Sequence, residues 1–225
     1  FQQFELSYMW LYSLGGGVAV VIVFYCWQSF PLFPEKVTQT KKIILRKRYW
    51  LYYALQFMSG ARRQIFVVFA GFLMVEKFEF TVAEISMLLI ANAAINVVFA
   101  PKIGRLIKRF GERKSLIFEY IGLSLIFAGY AFVESSHFAV FLYIADHLFF
   151  SIAIALKTYF QKIADPADIA SSSGVSFTIN HIAAVFIPVA FGLVWLYSPS
   201  LVFLAGSAMA IVSLILALNM PSKPA

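Results

Sequence analysis

The sequence predicts an all-α integral membrane protein, and three observations carry that prediction. Of its 225 residues, 61% are hydrophobic and 18% aromatic while only 13% are charged, beyond the roughly half-apolar make-up of an ordinary globular domain. Mean hydropathy is +0.82. Seven apolar runs, at about 8–28, 50–75, 82–101, 115–133, 138–159, 173–196 and 201–219, each come close to the ~20 residues a helix needs to cross a bilayer. The third observation is where the positive charge sits. Apart from Arg62, Arg63 and Lys77, every one of the 18 basic residues falls in the first, third or fifth connection, at the cytoplasmic end of the fifth run, or in the C-terminal tail. If the helices alternate in direction, those regions share one side, so the positive-inside rule makes them and the C-terminus cytoplasmic.

The first run, 8–28, holds the single cysteine, Cys26, which has no partner for an internal disulfide. After it come Pro31, Pro34 and six basic residues within about 29–49, the only break long enough to be a linker. The second run, 50–75, carries Arg62, Arg63 and Gln64 at its centre and ends at the polar Glu76–Thr81 stretch. Asn92 and Asn96, four apart and hence on one face, interrupt the third run. Pro101 and Gly104 read as the break after it.

The fourth run holds Glu119 near its cytoplasmic end and is followed by Glu134-Ser-Ser-His137. The fifth carries Asp146 and His147, with Lys157 at its cytoplasmic end, before Asp165-Pro166. Asn180 and His181 lie in the sixth, where Pro188 is expected to kink the helix. Ser198-Pro199-Ser200 precedes the seventh, which has no central charge.

The net charge of +7 belongs to this topology signal, facing an anionic inner leaflet, and predicts no nucleic-acid partner. His137, His147 and His181 lack ligand spacing, so neither a metal nor a cofactor is expected. His-Glu-x-x-His and Gly-x-Ser-x-Gly motifs are absent, which argues against an intramembrane enzyme. The seventh run has no lysine for a retinal Schiff base, which argues against a light-driven pump. The chain begins Phe-Gln-Gln without an initiator methionine, and its first run enters from outside. A fragment lacking an N-terminal part is therefore expected.

Gly104-Arg-Leu-Ile-Lys-Arg-Phe-Gly-Glu-Arg-Lys114 carries a family resemblance. It is similar to the loop between the second and third helices of each six-helix half in the major facilitator superfamily, Gly-x-Leu-Ala-Asp-Arg-x-Gly-Arg-Arg. Gly104, Leu106, Arg109, Gly111 and Arg113 match it. Lys108 stands at the family's aspartate and Glu112 at an arginine, as in the less strict copy found in C-terminal halves. The resemblance implies that 1–28 is helix six, 29–49 the cytoplasmic linker between halves, and 50–225 a C-terminal six-helix bundle of two three-helix inverted repeats, whose N-terminal half is missing. It implies a cytoplasmic gating loop comprising Gly104, Arg105, Leu106, Arg109, Gly111 and Arg113, and a location in the cell (inner) membrane.

Ionisable and amide groups at membrane depth are costly and normally face a bundle interior or wet cavity. At about 1.5 Å rise per residue, Arg62 lies about 18 Å into its helix and Asp146 roughly 12 Å into its own, both near mid-bilayer. Arg62 and Arg63 are about 100° apart on the helix, so at most one faces a cavity directly. Asp146 is a counter-ion for either, and Asp146 with His147 suits a proton relay.

The resemblance implies that helices carrying these groups line the central cavity. Arg62, Arg63, Gln64, Asn92, Asn96, Asp146, His147, Asn180 and His181 are accordingly the candidate substrate-binding or coupling residues. The function expected is secondary active transport of a small, anionic solute by alternating access with proton coupling; the alternative is a facilitator or a transporter-like protein with a sensing or assembly role.

Overall fold

In the computed structural model, residues 8–31, 37–40 and 42–221 are described; Glu5, Pro34, Lys36, Lys41 and Lys223 lie outside them. Seven helices are long and apolar enough to span a membrane: α1 (Tyr8–Ser29), α2 (Lys47–Phe78), α3 (Val82–Phe110), α4 (Glu112–Ala131), α5 (Ser136–Ile163), α6 (Pro166–Trp195) and α7 (Pro199–Leu218). No strand occurs among the described residues. The chain divides into two compact units, Phe1–Thr38, which contains α1, and Gln39–Ala225, which contains α2–α7. This is the all-α architecture of a six-helix half-bundle preceded in sequence by one further helix.

The second unit packs as two repeats. If α2, α3 and α4 correspond to α5, α6 and α7, then the α2–α6 contact should be matched by α5–α3, α4–α5 by α7–α2, and α4–α7 should map onto itself. All of these contacts are present, with α4–α7 the most extensive. Small residues make the intimate contacts possible. A Cβ on Gly122 of α4 would stand 2.0 Å from the Phe149 ring of α5, far inside van der Waals contact. One on Gly60 of α2 would stand 2.6 Å from Asn180 Oδ1 of α6.

The buried apolar side chains form two clusters at opposite ends of the bundle. One runs through Ile65–Met74, Leu123–Val133, Ala139–Tyr143 and Val202–Ala210; the other through Tyr49–Leu55, Leu116–Tyr120, Ile152–Phe160 and Ala217–Met220. Between them each helix contributes polar residues: Arg62 on α2, Glu119 on α4, Asp146 on α5 and Ser213 on α7, all buried. On α3 the corresponding stretch contains Asn92 and Asn96, and on α6 Asn180 and His181.

Two helices depart from regular α geometry at this layer. α2 passes through a π-helical turn at Ile65–Ala70, and α5 tightens to 3₁₀ at Ser151–Ala153.

The break expected at Pro101 and Gly104 is corrected: α3 continues through both to Phe110. A proline inside a helix removes only one backbone hydrogen bond, and α3 carries through that loss at Pro101. The chain instead reverses at Gly111, whose φ of +83° is a conformation open mainly to glycine. Gly104, Arg105, Leu106 and Arg109 thus belong to the last two turns of α3, and Arg113 to the first turn of α4. Neither glycine is needed for close packing: a Cβ would meet nothing within 4 Å at Gly104 or Gly111. α6 is continuous through Pro188.

At the other end of α3, Thr81 and Glu84 form a reciprocal capping box, the Thr81 backbone N–H donating to Glu84 Oε2 at 2.8 Å. Thr40, Lys42, Ile44, Arg46 and Arg48 are fastened to the start of α6. Arg46 and Arg48 reach Asp168 at 3.0 and 2.6 Å, and the Ser171 hydroxyl donates to Lys42 O and accepts from Ile44 N–H.

Gly122→Ala is expected to destabilise the bundle by about 1–3 kcal/mol through overpacking against Phe149, read as a lowered Tm in detergent. Gly104→Ala, in open space and within a helix, should leave Tm unchanged or slightly raised.

Candidate functional site

A cleft of about 420 Å³ opens where α2, α5 and α6 meet. Its lining follows from helical spacing. Gln56, Ser59, Gly60, Arg63 and Gln64 form one stripe of α2; Phe150, Ala153, Ile154 and Lys157 form one stripe of α5; Asn180, His181 and Ala184 come from α6. Arg63 and Lys157 are its charged groups, and no carboxylate lines it. The Arg63 guanidinium lies 5.5 Å from the Phe150 ring centroid, within cation–π range. The His181 ring packs on Phe177 at 3.9 Å, and its Nδ1 is 2.9 Å from Phe177 O. That leaves Nε2 directed away from the helix backbone.

The structure separates the two adjacent arginines. Arg63 is exposed in the cleft, while Arg62 is 0% exposed in the bundle interior. The Arg62 Nη1 donates to Ser213 Oγ, and its guanidinium lies 4.6 Å from the Tyr120 ring centroid. Asp146 and Glu119 are also 0% exposed. The salt bridge expected between Asp146 and an arginine is absent: no ion pair joins them among the described residues, and both carboxylate oxygens of Asp146 and of Glu119 lack a hydrogen-bond partner.

The remaining candidates are spread over a third place. Asn96 Oδ1 accepts from Ser151 Oγ at 3.2 Å across the α3–α5 contact, and Asn92, one turn earlier on that face, is buried. His147 is half-buried with its ring 6.5 Å from Phe66. No hydrogen bond joins it to Asp146, so the expected relay between the two is not formed directly. The structure therefore brings Arg63, Gln64, Asn180 and His181 together in the cleft, and places Arg62 with Asp146 behind it.

Two residues outside the sequence-derived set belong with these groups. Lys157 was legible as a basic residue on the Asp146 helix, and its position near the interface made it read as a topology signal. The 3₁₀ turn at Ser151–Ala153 adds about 20° per residue, about 60° in all, relative to an α-helix. It turns Lys157 away from the Asp146 face and into the cleft. Glu119, the eighth residue of α4, lies in the same interior layer as Arg62. Its signal was that it is a carboxylate within an apolar run, a costly placement.

Near the Gly111 reversal, Lys162 pairs with Glu112 at 2.6 Å and Arg113 donates to Leu218 O at 2.7 Å. These contacts tie the start of α4 to α5 and α7.

The family follows from comparison on sequence. A profile of the Major Facilitator Superfamily matches residues 5–188 and residues 52–225. The chain belongs to this superfamily of membrane transporters. No individual curated protein and no solved structure matches it. A superfamily member with seven membrane-capable helices is a multi-pass integral membrane protein.

A membrane-impermeant maleimide should modify a cysteine at position 153 or 180 and leave one at 213 unmodified, in a background where Cys26 is serine. Labelling at 213 equal to that at 180 would contradict the separation of cleft and interior.

Proposed function

We propose that this chain carries the C-terminal half of a secondary transporter, in which α1 is helix six, about 29–49 is a cytoplasmic linker and α2–α7 are helices seven to twelve. It moves a small anionic solute by alternating access, against an N-terminal half that completes the cavity. The observation that carries the reading is the charge of the cleft: Arg63 and Lys157 line it with the neutral Gln56, Gln64 and Asn180 and the aromatic His181, and no carboxylate balances them. Two cations without a balancing carboxylate in one cleft, Arg63 in the middle of α2 and Lys157 toward the cytoplasmic end of α5, attract an anion. The substrate class fitted by this lining is a small carboxylate, phosphate or sulfonate with neutral polar groups that Asn180, Gln64 and His181 can meet.

Binding near mid-membrane between the two halves is what alternating access requires. The inverted repeat supplies the mechanical part, since α2 and α6 approach closely at Gly60, which presents no side chain of its own to Asn180 and Ala183 of α6. Arg105, Arg109 and Arg113 lie at the end of the bundle where α3 reverses into α4; in this reading they face the cytoplasm and gate against the other half. The C-terminus after α7 is cytoplasmic, in the cell (inner) membrane. Accumulation against a gradient is driven by protons.

The test is uptake into proteoliposomes of the full-length protein, scanning small anions, sugars, amino acids and cationic drugs with and without an imposed pH gradient. Gradient-driven accumulation of an anion is expected. A charge-assisted contact is worth about 1.5–3 kcal/mol, so Arg63→Gln and Lys157→Gln should each weaken anion binding about 10- to 100-fold. Uptake of that anion by the double variant at the wild-type rate would remove the anion claim.

A further inference from the structure

Away from the transport cleft, two cavities adjoin at the end of the bundle where α3 reverses into α4. One, of about 270 Å³, is polar, lined by Glu112, Arg113, Lys114 and Lys162 with Tyr159. The other, also about 270 Å³, is apolar, lined by Leu106 and Phe110 of α3 with Phe118 of α4. Phe110 and Lys114 line both, so the two share a wall and form one amphipathic groove.

The polar half carries an excess of positive charge. Lys162 pairs with Glu112 at 2.6 Å, which cancels both. Arg113 donates to the uncharged Leu218 O at 2.7 Å, and neither it nor Lys114 enters an ion pair among the described residues. Arg109, at the end of α3, adds a further cation 5.5 Å from the Phe110 ring centroid. An arginine and a lysine side by side suit a phosphate group, the first as a planar fork of donors and the second as a point charge.

The order of the two halves along the helix matches that of a lipid. α4 is 20 residues long, about 30 Å, the thickness of the hydrocarbon core. Its first turn, with Arg113 and Lys114, therefore lies at the level of the headgroups. Phe118 follows Lys114 by four residues, about 6 Å deeper on the same face. Ile121 and Leu125 continue that face, and all three side chains are exposed. The groove thus changes from cationic to apolar in the direction in which a phospholipid changes from headgroup to acyl chain. A free phosphate would fill the polar half alone.

We infer that this groove binds one anionic phospholipid, with its phosphate on Arg113 and Lys114 and the first part of an acyl chain against Phe110 and Phe118. Interfacial cations attract acidic lipids diffusely; the apolar wall adjoining Lys114 makes this a site that holds a single molecule. A lipid so placed spans the junction of α3 and α4. Its leaflet is the cytoplasmic one on the topology proposed above, while binding itself does not depend on what is transported.

Native mass spectrometry of the delipidated full-length protein tests the site, with dioleoyl phosphatidylglycerol as the probe, dioleoyl phosphatidylcholine for comparison and inorganic phosphate as competitor. A single phosphatidylglycerol should bind before any further copies add. Arg113→Gln and Lys114→Gln should each weaken that first event about 10-fold, the loss of one charge-assisted contact, and Phe118→Ser should weaken it as well. Lys102→Gln and Lys108→Gln, at exposed cations of α3 that do not line the groove, should leave it unchanged. Tm in detergent is read for every variant. Because Arg113 also ties α4 to α7, Lys114→Gln, which breaks no ion pair, decides the matter should Arg113→Gln lower Tm. Phosphatidylcholine bound as tightly as phosphatidylglycerol, or equal losses from Lys102→Gln and Lys108→Gln, would reduce the effect to diffuse attraction and overturn the inference. Displacement of the lipid by inorganic phosphate at a similar concentration would overturn the lipid assignment. The readout is lipid retention, so a protein that moves no anion would leave this result standing.

Discussion

The structure depends on a polar layer at mid-depth that six helices share. Arg62, Glu119, Asp146 and Ser213 are each flanked along their own helices by residues of the two apolar clusters. That arrangement keeps ionisable groups off the lipid, where each would cost about 2.5–3.5 kcal/mol at a helix centre. It also divides the interior into two apolar packing regions, with Phe149 packed against both. Anything that moves one helix relative to another must rearrange this layer, because apolar surfaces can slide over one another while hydrogen-bonded and charged groups change partners in steps.

The rest of the fold positions that layer. The two-fold relation between α2–α4 and α5–α7 places Arg62 and Asp146 on the first helices of the two repeats, and Glu119 and Ser213 on the third. α4 and α7 come together closely because small residues lie at their contact: Ser124 and Ser207 share hydrogen bonds, and Gly206 lies against the Phe127 ring. In the absence of a hydrophobic force between helices in lipid, such close approach and interhelical hydrogen bonding hold a bundle together. The cleft lies away from the α4–α7 pair, among α2, α5 and α6.

Much of the fold was legible in the hydropathy pattern, and particular departures show where legibility stopped. The seven runs correspond to the seven helices because twenty consecutive apolar residues leave a chain few alternatives in a bilayer. Pro101 and Gly104 misled because turn propensity is a local tendency, and a helix already under way loses only one hydrogen bond at a proline and little at a glycine. Lys157 misled because its place near the interface explained its charge as topology, and three 3₁₀ residues bring it into the cleft. Glu119 was noticed but assigned by its distance from the helix end, which says nothing of the side the residue faces.

Charge type and spacing along the sequence determined that this is a multi-helical membrane protein of the major facilitator superfamily, with ionisable groups at mid-depth on α2 and α5. Those properties are local: hydropathy sums over a window, and the family motif is read residue by residue. Only the tertiary structure decided which of the two adjacent arginines faces the cleft and which the interior, that Lys157 joins Arg63, and that Glu119 shares a layer with Asp146. Each of those outcomes depends on the rotation of a helix about its own axis. That rotation is set by packing against helices distant in sequence, at contacts such as Gly60 with Asn180 and Gly122 with Phe149, and by the π and 3₁₀ turns those contacts accommodate.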